Sequence, residues 1–357
     1  MSVKEFHKLR VKNIKRQTTD CVSVCFDIPN DLKSTFQFKA GQHIIIRKEI
    51  NGKELRRTYS ICTSPNENEF CIAVKKIENG AFSSFANSVL KKGDELELMP
   101  PHGRFHVETN SKNSKNYLAF SAGSGITPII SIIKSVLHDE PDSSFTLFYG
   151  NRKTETTIFL EELEALKNLN ISRLSIYYIM SRETIGSSLF KGHLDSEKCL
   201  KFSKTFFDPA QIDEVFICGP IKMTETVKKC LLSLGIDSSK IHHELFTNIG
   251  LKTNIEATKI TDNIKSNITI INDGAELNFN LETSDENILD AALKNGANLP
   301  FACKGGVCCT CRAKLLEGEV KMDVNYSLEP DEINNGFILT CQSHPVSKKI
   351  KISFDEV

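Results

Sequence analysis

The sequence lacks the features that would place the protein in a membrane or on nucleic acid. No apolar run reaches about 18 residues, the minimum for a membrane-spanning helix. The first residues contain no apolar stretch of the kind found in secretory signal peptides. Net charge is also absent, because 45 Lys and Arg balance 45 Asp and Glu, whereas dedicated nucleic-acid binders are usually basic. We therefore expect a cytoplasmic protein that binds neither membranes nor nucleic acids.

The composition is that of a globular protein with several domains. The 357 residues are 40% hydrophobic, enough for packed cores in two or three domains of about 100–200 residues each. The chain also contains 12 cysteines. Disulfide frameworks belong mainly to secreted proteins, so we interpret these cysteines as buried thiols or metal ligands.

Residues 1–110 are predicted to form an antiparallel β-barrel. Apolar and polar residues alternate in several short segments, for example 22–26, 71–74 and 95–98, and glycine-containing turns separate them. Many short strands at such spacing are typical of a barrel. One helix is expected at 83–90, where apolar residues fall on one face.

Residues 111–246 are predicted to form a doubly wound α/β domain with a parallel sheet. Predicted strands alternate with predicted helices along this segment, which is the pattern of a parallel sheet. The predicted strands are 117–120, 145–149, 174–180 and 214–218, and the predicted helices are 128–137, 158–166 and 223–234.

The remainder of the chain is predicted to be a linker and a small α+β domain. Residues 247–265 are polar and without periodicity, as expected of a linker. Residues 266–357 begin with a hairpin, 267–271 and 276–280, followed by a helix at 287–294 that has capping residues at both ends.

The strongest chemical signal is a set of four cysteines in the last domain. Cys303, Cys308 and Cys311 are followed 29 residues later by Cys341, which is the ligand spacing of plant-type 2Fe–2S clusters. Two glycines between the first two cysteines let the loop fold around a cluster. A zinc site is the alternative, but structural zinc sites usually have two close cysteine pairs, and the second pair is missing. Cys309 is off the spacing, and we expect it not to be a ligand.

Segment 300–342 resembles the C-terminal ferredoxin domain of phenylacetyl-CoA epoxidase reductase subunits. The whole chain is similar to their arrangement, in which a ferredoxin–NADP-reductase-like module precedes a plant-type ferredoxin. The resemblance implies a β-grasp fold for residues 266–357. It also implies three cofactors, namely FAD, a 2Fe–2S cluster and NADPH.

The predicted FAD site has two halves. The first half is the segment Arg57, Thr58, Tyr59 and Ser60, which matches the flavin motif of the family. An arginine can neutralise the flavin pyrophosphate, a tyrosine can stack on the ring, and a serine hydroxyl can bond near flavin N5. The second half precedes and begins the predicted helix, where free backbone N–H groups favour a phosphate. The residues of this half are Lys75, Gly80, Ala81, Phe82 and Ser83.

The predicted nicotinamide site combines two loops at the ends of strands. Gly123 and Gly125 lie between a predicted strand and a helix, where backbone N–H groups can approach a pyrophosphate. The resemblance implies that Thr127 and Cys218 flank the nicotinamide and that Gly219 and Pro220 complete a second motif. With Tyr59 and Ser60, Thr127 and Cys218 are the candidate catalytic residues.

The predicted nucleotide is NADPH, with NADH as the alternative. Arg152, Ser181 and Arg182 follow predicted strands and resemble family positions that meet the 2′-phosphate. A solvated surface charge is the other interpretation of each arginine. In the family, the stretch with Glu244 and Phe246 ends the nucleotide domain near the flavin.

These motifs predict an enzyme that passes electrons from NADPH through FAD and a 2Fe–2S cluster to an oxygenase. By resemblance, the oxygenase is the multisubunit di-iron phenylacetyl-CoA epoxidase. The alternatives are another oxygenase, an acyl-lipid desaturase, or no partner at all, as in a diaphorase. A pure electron carrier is disfavoured because the first 246 residues contain flavin and nucleotide motifs.

Overall fold

The computed structural model describes residues 5–184, 186–246 and 264–356. The described residues up to 246 form one compact unit, and those from 264 form another. Within these ranges no helix is long and apolar enough to cross a membrane. The predicted linker, 247–265, lies outside the described residues except at its end, where Lys265 is already the first residue of a strand.

The first sheet is antiparallel and has six strands in the order β4-β3-β6-β1-β2-β5. Its two edges meet just beyond β4, where Ile61 forms a bridge with Ile72 of β5 and closes the barrel. The prediction of an antiparallel domain is confirmed. The elements are β1 (His7–Thr18), β2 (Cys21–Asp27), β3 (His43–Ile50), β4 (Lys53–Ser60), β5 (Phe70–Lys75), α1 (Ala81–Ser88) and β6 (Glu95–His102).

Helix α1 begins two residues earlier than the sequence predicted. Its buried residues are Phe82, Ser83 and Ala86, which lie on the face that packs against the barrel. Phe82 and Ala86 belong to the barrel core, together with inward-facing residues of the strands such as Leu9 and Ile44. Burial of this narrow apolar face is what holds so short a helix in place.

The second sheet has five parallel strands in the order β11-β10-β7-β8-β9. The strand order reverses between β7 and β10, where ligands bind in open α/β sheets. The prediction of a parallel nucleotide-binding domain is confirmed. Its strands are β7 (Asn116–Ala122), β8 (Ser144–Asn151), β9 (Leu174–Met180), β10 (Glu214–Gly219) and β11 (Ile241–Leu245). Its helices are α2 (Ile126–Asp139), α3 (Leu160–Leu169), α4 (Ser196–Thr205) and α5 (Ile221–Ser233).

Helix α2 joins the two sheets of the first unit. Its isoleucines share one core with barrel residues such as Ala73 and with residues of the parallel sheet such as Leu147. Ser131 Oγ donates a hydrogen bond to the Thr63 carbonyl at 2.6 Å, and that threonine lies just beyond the barrel strand β4. Because both faces of α2 are covered, the barrel and the parallel sheet are held together as one body.

The second unit is a mixed five-stranded sheet covered by a helix. Its order is β13-β12-β18-β14-β16, with β12 and β18 parallel and the other neighbours antiparallel. Helix α6 packs its residues Ile288, Leu289 and Ala292 into the core of this unit. Its strands are β12 (Lys265–Asn272), β13 (Ala275–Glu282), β14 (Arg312–Glu317), β15 (Val320–Met322), β16 (Phe337–Leu339), β17 (Ser343–Pro345) and β18 (Lys349–Ser353), and its helices are α6 (Ile288–Lys294) and α7 (Pro330–Asn334).

One interpretation of the cysteines is wrong. Cys25 and Cys71, expected to be separate buried thiols, form a disulfide between β2 and β5. They are direct partners in the antiparallel register, with their Cα atoms 4.0 Å apart. The other ten cysteines are free thiols. The pairing depends on how two strands 46 residues apart are aligned, which no local pattern of the sequence indicates.

Candidate cofactor sites

The two halves of the predicted flavin site meet in the barrel. Tyr59 lies near the end of β4, and its ring centre is 5.5 Å from that of Phe82 in the first turn of α1. Burial raises the pKa of the Tyr59 phenol, so this side chain stays neutral. The hydroxyl of Thr58 is buried without a hydrogen-bond partner among the described residues. An orphaned hydroxyl inside the motif fits a site that a polar ligand completes.

The start of α1 is shaped for a close backbone approach. A Cβ added to Gly80 would lie 2.4 Å from Ser83 Oγ, so no larger residue fits there without displacement. Ser83 Oγ accepts a hydrogen bond from the Ile77 N–H and donates one to the Gly80 carbonyl, both at 3.2 Å. The first-turn N–H groups of α1 have no partners within the helix and can bind a phosphate. Lys75 ends the preceding strand with Nζ 3.7 Å from Asp20.

A carboxylate from the nucleotide-binding domain reaches the flavin motif. Ser60 Oγ donates to Glu244 Oε2 at 3.4 Å, and His43 Nδ1 lies 3.2 Å from the other oxygen of Glu244. Both Ser60 and His43 are buried barrel residues. Glu244 is on β11, directly opposite Cys218 of β10. The structure therefore brings the two predicted catalytic residues Ser60 and Cys218 to the same carboxylate.

The glycine loop and the Cys218 motif are packed against each other. A Cβ on Gly125 would lie 2.1 Å from the Cys218 carbonyl oxygen, so this contact requires glycine. Gly123 has φ +55°, and its carbonyl accepts a hydrogen bond from Tyr149 OH at 3.0 Å. Thr127 is buried at the start of α2 and donates to the Ser124 carbonyl at 3.0 Å. The loop is thus fixed from three sides.

The thiol of Cys218 is fully buried. Burial, with a further contribution from the nearby Glu244 carboxylate, raises its pKa well above the ordinary value, so it is a neutral thiol. Gly219 and Pro220 follow it at the end of β10, and Phe246 N donates to the Gly219 carbonyl at 2.9 Å. The predicted residues Cys218, Gly219, Pro220 and Phe246 therefore lie together.

The fit of a dinucleotide to this edge of the sheet is supported by unpartnered polar atoms. Ser121 Oγ, at the end of β7, and Thr224 Oγ1, in the first turns of α5, are fully buried. Neither hydroxyl has a hydrogen-bond partner among the described residues. Both hydroxyls flank the point where the strand order reverses. Ligands bind at this point in open α/β sheets, so the two hydroxyls fit a polar ligand such as a dinucleotide.

The two predicted phosphate-binding arginines are neighbours. Arg152 follows β8 and Arg182 follows β9, and Arg182 N donates to the Arg152 carbonyl at 2.9 Å. Both side chains are exposed, and no acidic residue of the described chain forms an ion pair with either guanidinium. Ser181 lies between β9 and Arg182, with its N–H bonded to the Asn151 carbonyl. The two exposed guanidinium groups and the half-buried Ser181 thus lie at one positively charged edge.

Three of the four predicted cluster ligands come from one loop. Cys303 and Cys308 are hydrogen-bonded through their thiols, and Gly305 N donates to Cys303 Sγ at 3.3 Å. Hydrogen bonds from the Cys308 thiol and from the backbone N–H groups of the loop lower the pKa of Cys303, whereas sharing this hydrogen bond and burial raise the pKa of Cys308. A loop that directs N–H groups at sulfur stabilises thiolates, which is the form that binds iron.

Cys341 reaches this loop from a separate turn. It lies in a short turn, Thr340–Gln342, and Thr340 donates to the Cys311 carbonyl from both its N–H, at 3.2 Å, and its hydroxyl, at 3.0 Å. The thiols of Cys311 and Cys341 are hydrogen-bonded, which lowers the pKa of Cys341 and raises that of Cys311. The four sulfurs thus form two hydrogen-bonded pairs. Four cysteine thiolates are the ligands of a 2Fe–2S cluster, so this set of sulfurs fits one.

Cys309 is directed elsewhere. Its thiol donates to the Ser327 carbonyl at 3.3 Å, and its backbone has φ +49°. Lys304 also has a left-handed backbone, with φ +50°, as expected of a loop that wraps tightly around a small object.

Sequence reasoning did not find His43, because no local pattern indicates that it meets Glu244.

Comparison with protein families assigns a known domain type to each part of the chain. Residues 8–107 match the oxidoreductase FAD-binding domain, and residues 120–229 match the oxidoreductase NAD-binding domain. Residues 270–346 match the 2Fe-2S iron-sulfur cluster binding domain. These matches support FAD, a nicotinamide nucleotide and a 2Fe–2S cluster as the cofactors.

Two curated relatives span almost the whole chain. The chain is 41% identical over 350 residues to a component of the 1,2-phenylacetyl-CoA epoxidase of Escherichia coli (strain K12), covering 98% of both chains. It is 29% identical to the ferredoxin reductase component of the 3-ketosteroid-9-alpha-monooxygenase of Rhodococcus rhodochrous, covering 97% of this chain and 96% of that one. Both relatives are components of oxygenase systems.

Solved structures show the same architecture. Phthalate dioxygenase reductase, described as a modular structure for electron transfer from pyridine nucleotides to 2Fe–2S, has a TM-score of 0.60. The identity to it is 25%, with 98% of both chains covered. A type IV self-sufficient cytochrome P450 monooxygenase matches with a TM-score of 0.69 at 19% identity, over 97% of this chain and 41% of that one, and it supports the fold alone.

Proposed function

The chain belongs to the family of oxygenase reductase components that combine FAD-binding, NAD-binding and 2Fe–2S domains, and we propose that it is the NADPH-dependent reductase component of a phenylacetyl-CoA epoxidase. The observation that supports this most directly is 41% identity across 98% of both chains to a component of that epoxidase. The similarity covers the FAD-binding, NAD-binding and 2Fe–2S domains. It therefore includes every domain through which the electrons would pass. The domain limits we propose are 1–110, 111–246 and 266–357, with a linker between the last two.

The chain's own residues would position the reacting groups. When bound, the nicotinamide supplies a hydride to the flavin, from which electrons pass singly to the 2Fe–2S cluster. Tyr59 and Ser60 would orient the flavin from the barrel side, and Thr127 and Cys218 would orient the nicotinamide from the sheet side. The neutral, fully buried Cys218 thiol would exclude water from beside the nicotinamide without adding charge.

We propose that the nucleotide is NADPH. Arg152 and Arg182 form an exposed basic edge without acidic partners in the described chain, and guanidinium groups match the geometry of a phosphate dianion. Ser181 adds a hydroxyl to the same edge. A nucleotide without the 2′-phosphate would give the two guanidinium groups no phosphate to bind at this edge.

The proposed acceptor is a multisubunit di-iron epoxidase that acts on phenylacetyl-CoA. The thioester would bind to the oxygenase and not to this chain. Electrons would leave through the domain that contains Cys303, Cys308, Cys311 and Cys341. Epoxidation by dioxygen requires two electrons and two protons to convert the second oxygen atom to water, so the reductase would deliver the two electrons of one NADPH in each cycle.

The test is reconstitution with the purified oxygenase components of the epoxidase, phenylacetyl-CoA, NADPH and dioxygen. The wild-type chain should support epoxide formation, measured by mass spectrometry of the thioester. A full-length Cys308→Ser variant should still reduce ferricyanide with NADPH but should not support the epoxidase. Equal epoxide formation by that variant would show that electrons leave from the flavin. Support of the 3-ketosteroid monooxygenase but not of the epoxidase would assign a different partner.

A further inference from the structure

Gln342 directly follows the fourth predicted cluster ligand, and its side-chain amide has three acceptors. Nε2 lies 2.8 Å from the Cys341 carbonyl oxygen, 3.1 Å from the Lys304 carbonyl oxygen and 3.4 Å from Cys341 Sγ. The residue is 8% exposed, so water competes little for these contacts. Two hydrogens are therefore shared among three acceptors, one of which is a ligand sulfur.

These contacts connect the two segments that supply the four cysteines. Lys304 belongs to the loop with Cys303, Cys308 and Cys311, whereas Cys341 belongs to the separate turn. The loop also packs on the stem of Gln342, since a Cβ added to Gly306 would lie 3.3 Å from Gln342 Cγ. A shift of Gln342 would therefore change both the position of the loop and the environment of the Cys341 sulfur.

A side-chain donor beside a ligand sulfur has an electrostatic effect. Two ferric ions with two inorganic sulfides and four cysteine thiolates have a net negative charge, and reduction adds one more negative charge. An N–H dipole directed at a ligand sulfur stabilises the more negative state, and this stabilisation is strong in a buried site. Hydrogen bonds to the sulfurs are accordingly among the factors that set cluster potentials.

We propose that Gln342 is a positioning residue that holds Cys341 against the three-cysteine loop and raises the reduction potential of the 2Fe–2S cluster. This inference rests on the ligand set proposed above. It identifies one residue that would influence how the electrons distribute between the flavin and the cluster. Removal of the donor should shift that equilibrium toward the flavin by about tenfold, which for a one-electron couple corresponds to about 59 mV.

The chain offers a matched control on the other side of Cys341. Thr340 is fully buried, and its hydroxyl donates to the Cys311 backbone carbonyl but to no ligand sulfur. Thr340→Val therefore removes one buried hydrogen bond at the same turn without removing a donor to sulfur. Gln342→Leu removes the amide while keeping a side chain of similar size.

The experiment compares the two full-length holo-variants with the wild type in anaerobic redox titrations, with cluster absorption and EPR as readouts. Gln342→Leu should retain the visible cluster spectrum and show a more negative midpoint potential. Thr340→Val should lose the cluster at a lower temperature yet keep the wild-type potential. A wild-type potential in Gln342→Leu, or an equal shift in Thr340→Val, would overturn the proposal.

Two further outcomes are separable. If Gln342→Leu does not retain iron, Gln342→Met, which is unbranched and of similar length, replaces it with the same expected shift. Iron loss from both variants but not from Thr340→Val would support the positioning role of Gln342, and equal iron loss from all three variants would overturn it. A wild-type chain that holds no 2Fe–2S cluster would instead refute the ligand set and the proposed function.

Discussion

The imidazole rings of His43 on β3 and His102 on β6 meet edge to face, with their Nε2 atoms 3.2 Å apart. His102 Nδ1 lies 3.1 Å from the Pro100 carbonyl oxygen, so this nitrogen donates its hydrogen and Nε2 accepts one from His43. Burial and the neighbouring His43 lower the pKa of His102 to about 3. The neutral His102 thus accepts a hydrogen bond from His43, the residue that lies beside Glu244.

The half-buried His102 should make the stability of the reductase unit depend on pH. Unfolded His102 takes up a proton below about pH 6.5, whereas the folded residue does so only near pH 3. The free energy of unfolding should therefore fall as the pH falls through this window, by up to about 1.4 kcal/mol per pH unit from this residue. Urea unfolding between pH 7 and 5, followed by flavin release, should show a shallower slope for His102→Gln than for the wild type. His193→Gln, at an exposed position, is the control, and an unchanged slope in His102→Gln would contradict the assignment.

Two neighbouring glycines should respond differently to substitution. Gly125→Ala places a Cβ 2.1 Å from the Cys218 carbonyl, which overpacks the loop and should cost roughly 1–3 kcal/mol. Gly123→Ala meets no atom within 4 Å and should cost only the left-handed strain of roughly 1–2 kcal/mol. Because only the first change displaces the end of β10, Gly125→Ala should also raise the KM for NADPH in ferricyanide reduction. Equal KM values for the two variants would indicate that the Gly125–Cys218 contact does not shape the nucleotide site.

The ligand set predicts a clear division among the cysteines of the cluster loop. Serine at Cys303, Cys308, Cys311 or Cys341 should abolish the visible 2Fe–2S absorption while FAD stays bound, because each change removes one thiolate. Cys309→Ser should retain the cluster, since that thiol bonds to the Ser327 carbonyl. Cluster loss in Cys309→Ser together with retention in Cys308→Ser would reverse the assignment.

The basic edge at Arg152 and Arg182 predicts the nucleotide preference. Loss of one charge-assisted contact to the 2′-phosphate should cost about 1.5–3 kcal/mol, which corresponds to roughly tenfold or more in kcat/KM. The Arg152→Ala/Arg182→Ala variant should keep its NADH turnover while its preference for NADPH collapses. Steady-state ferricyanide reduction with each nucleotide provides the measurement, and a wild type that already prefers NADH would refute the prediction.

The sequence was most informative where the structure depends on contiguous residues. The cysteine spacing, the flavin motif and the glycine loop each lie in a short segment, so the domain types could be predicted and are confirmed. Helix α4 was missed because only Cys199 and Phe202 of its ten residues are buried, which leaves little apolar periodicity. The ligand and catalytic roles of individual residues remain predictions.

Contacts between distant segments could not be predicted. The disulfide of Cys25 and Cys71 depends on the register of two barrel strands, and the contact of His43 with Glu244 depends on how the barrel docks on the parallel sheet. Gly80 shows the same limit on a smaller scale. It is the N-cap of α1, which begins at Ala81, two residues earlier than the apolar pattern indicated.

The contact of Ser60 with Glu244 restricts how such multidomain chains can be recombined. Glu244 lies near the end of the reductase unit, and Phe246 N is bonded to the Gly219 carbonyl. A chimera that receives a foreign ferredoxin domain should tolerate a junction after Phe246. A junction placed at the end of α5, after Ser233, would exchange β11 and remove the carboxylate that contacts Ser60. Gene fusions that swap electron-exit domains between oxygenases are therefore constrained to break after this strand.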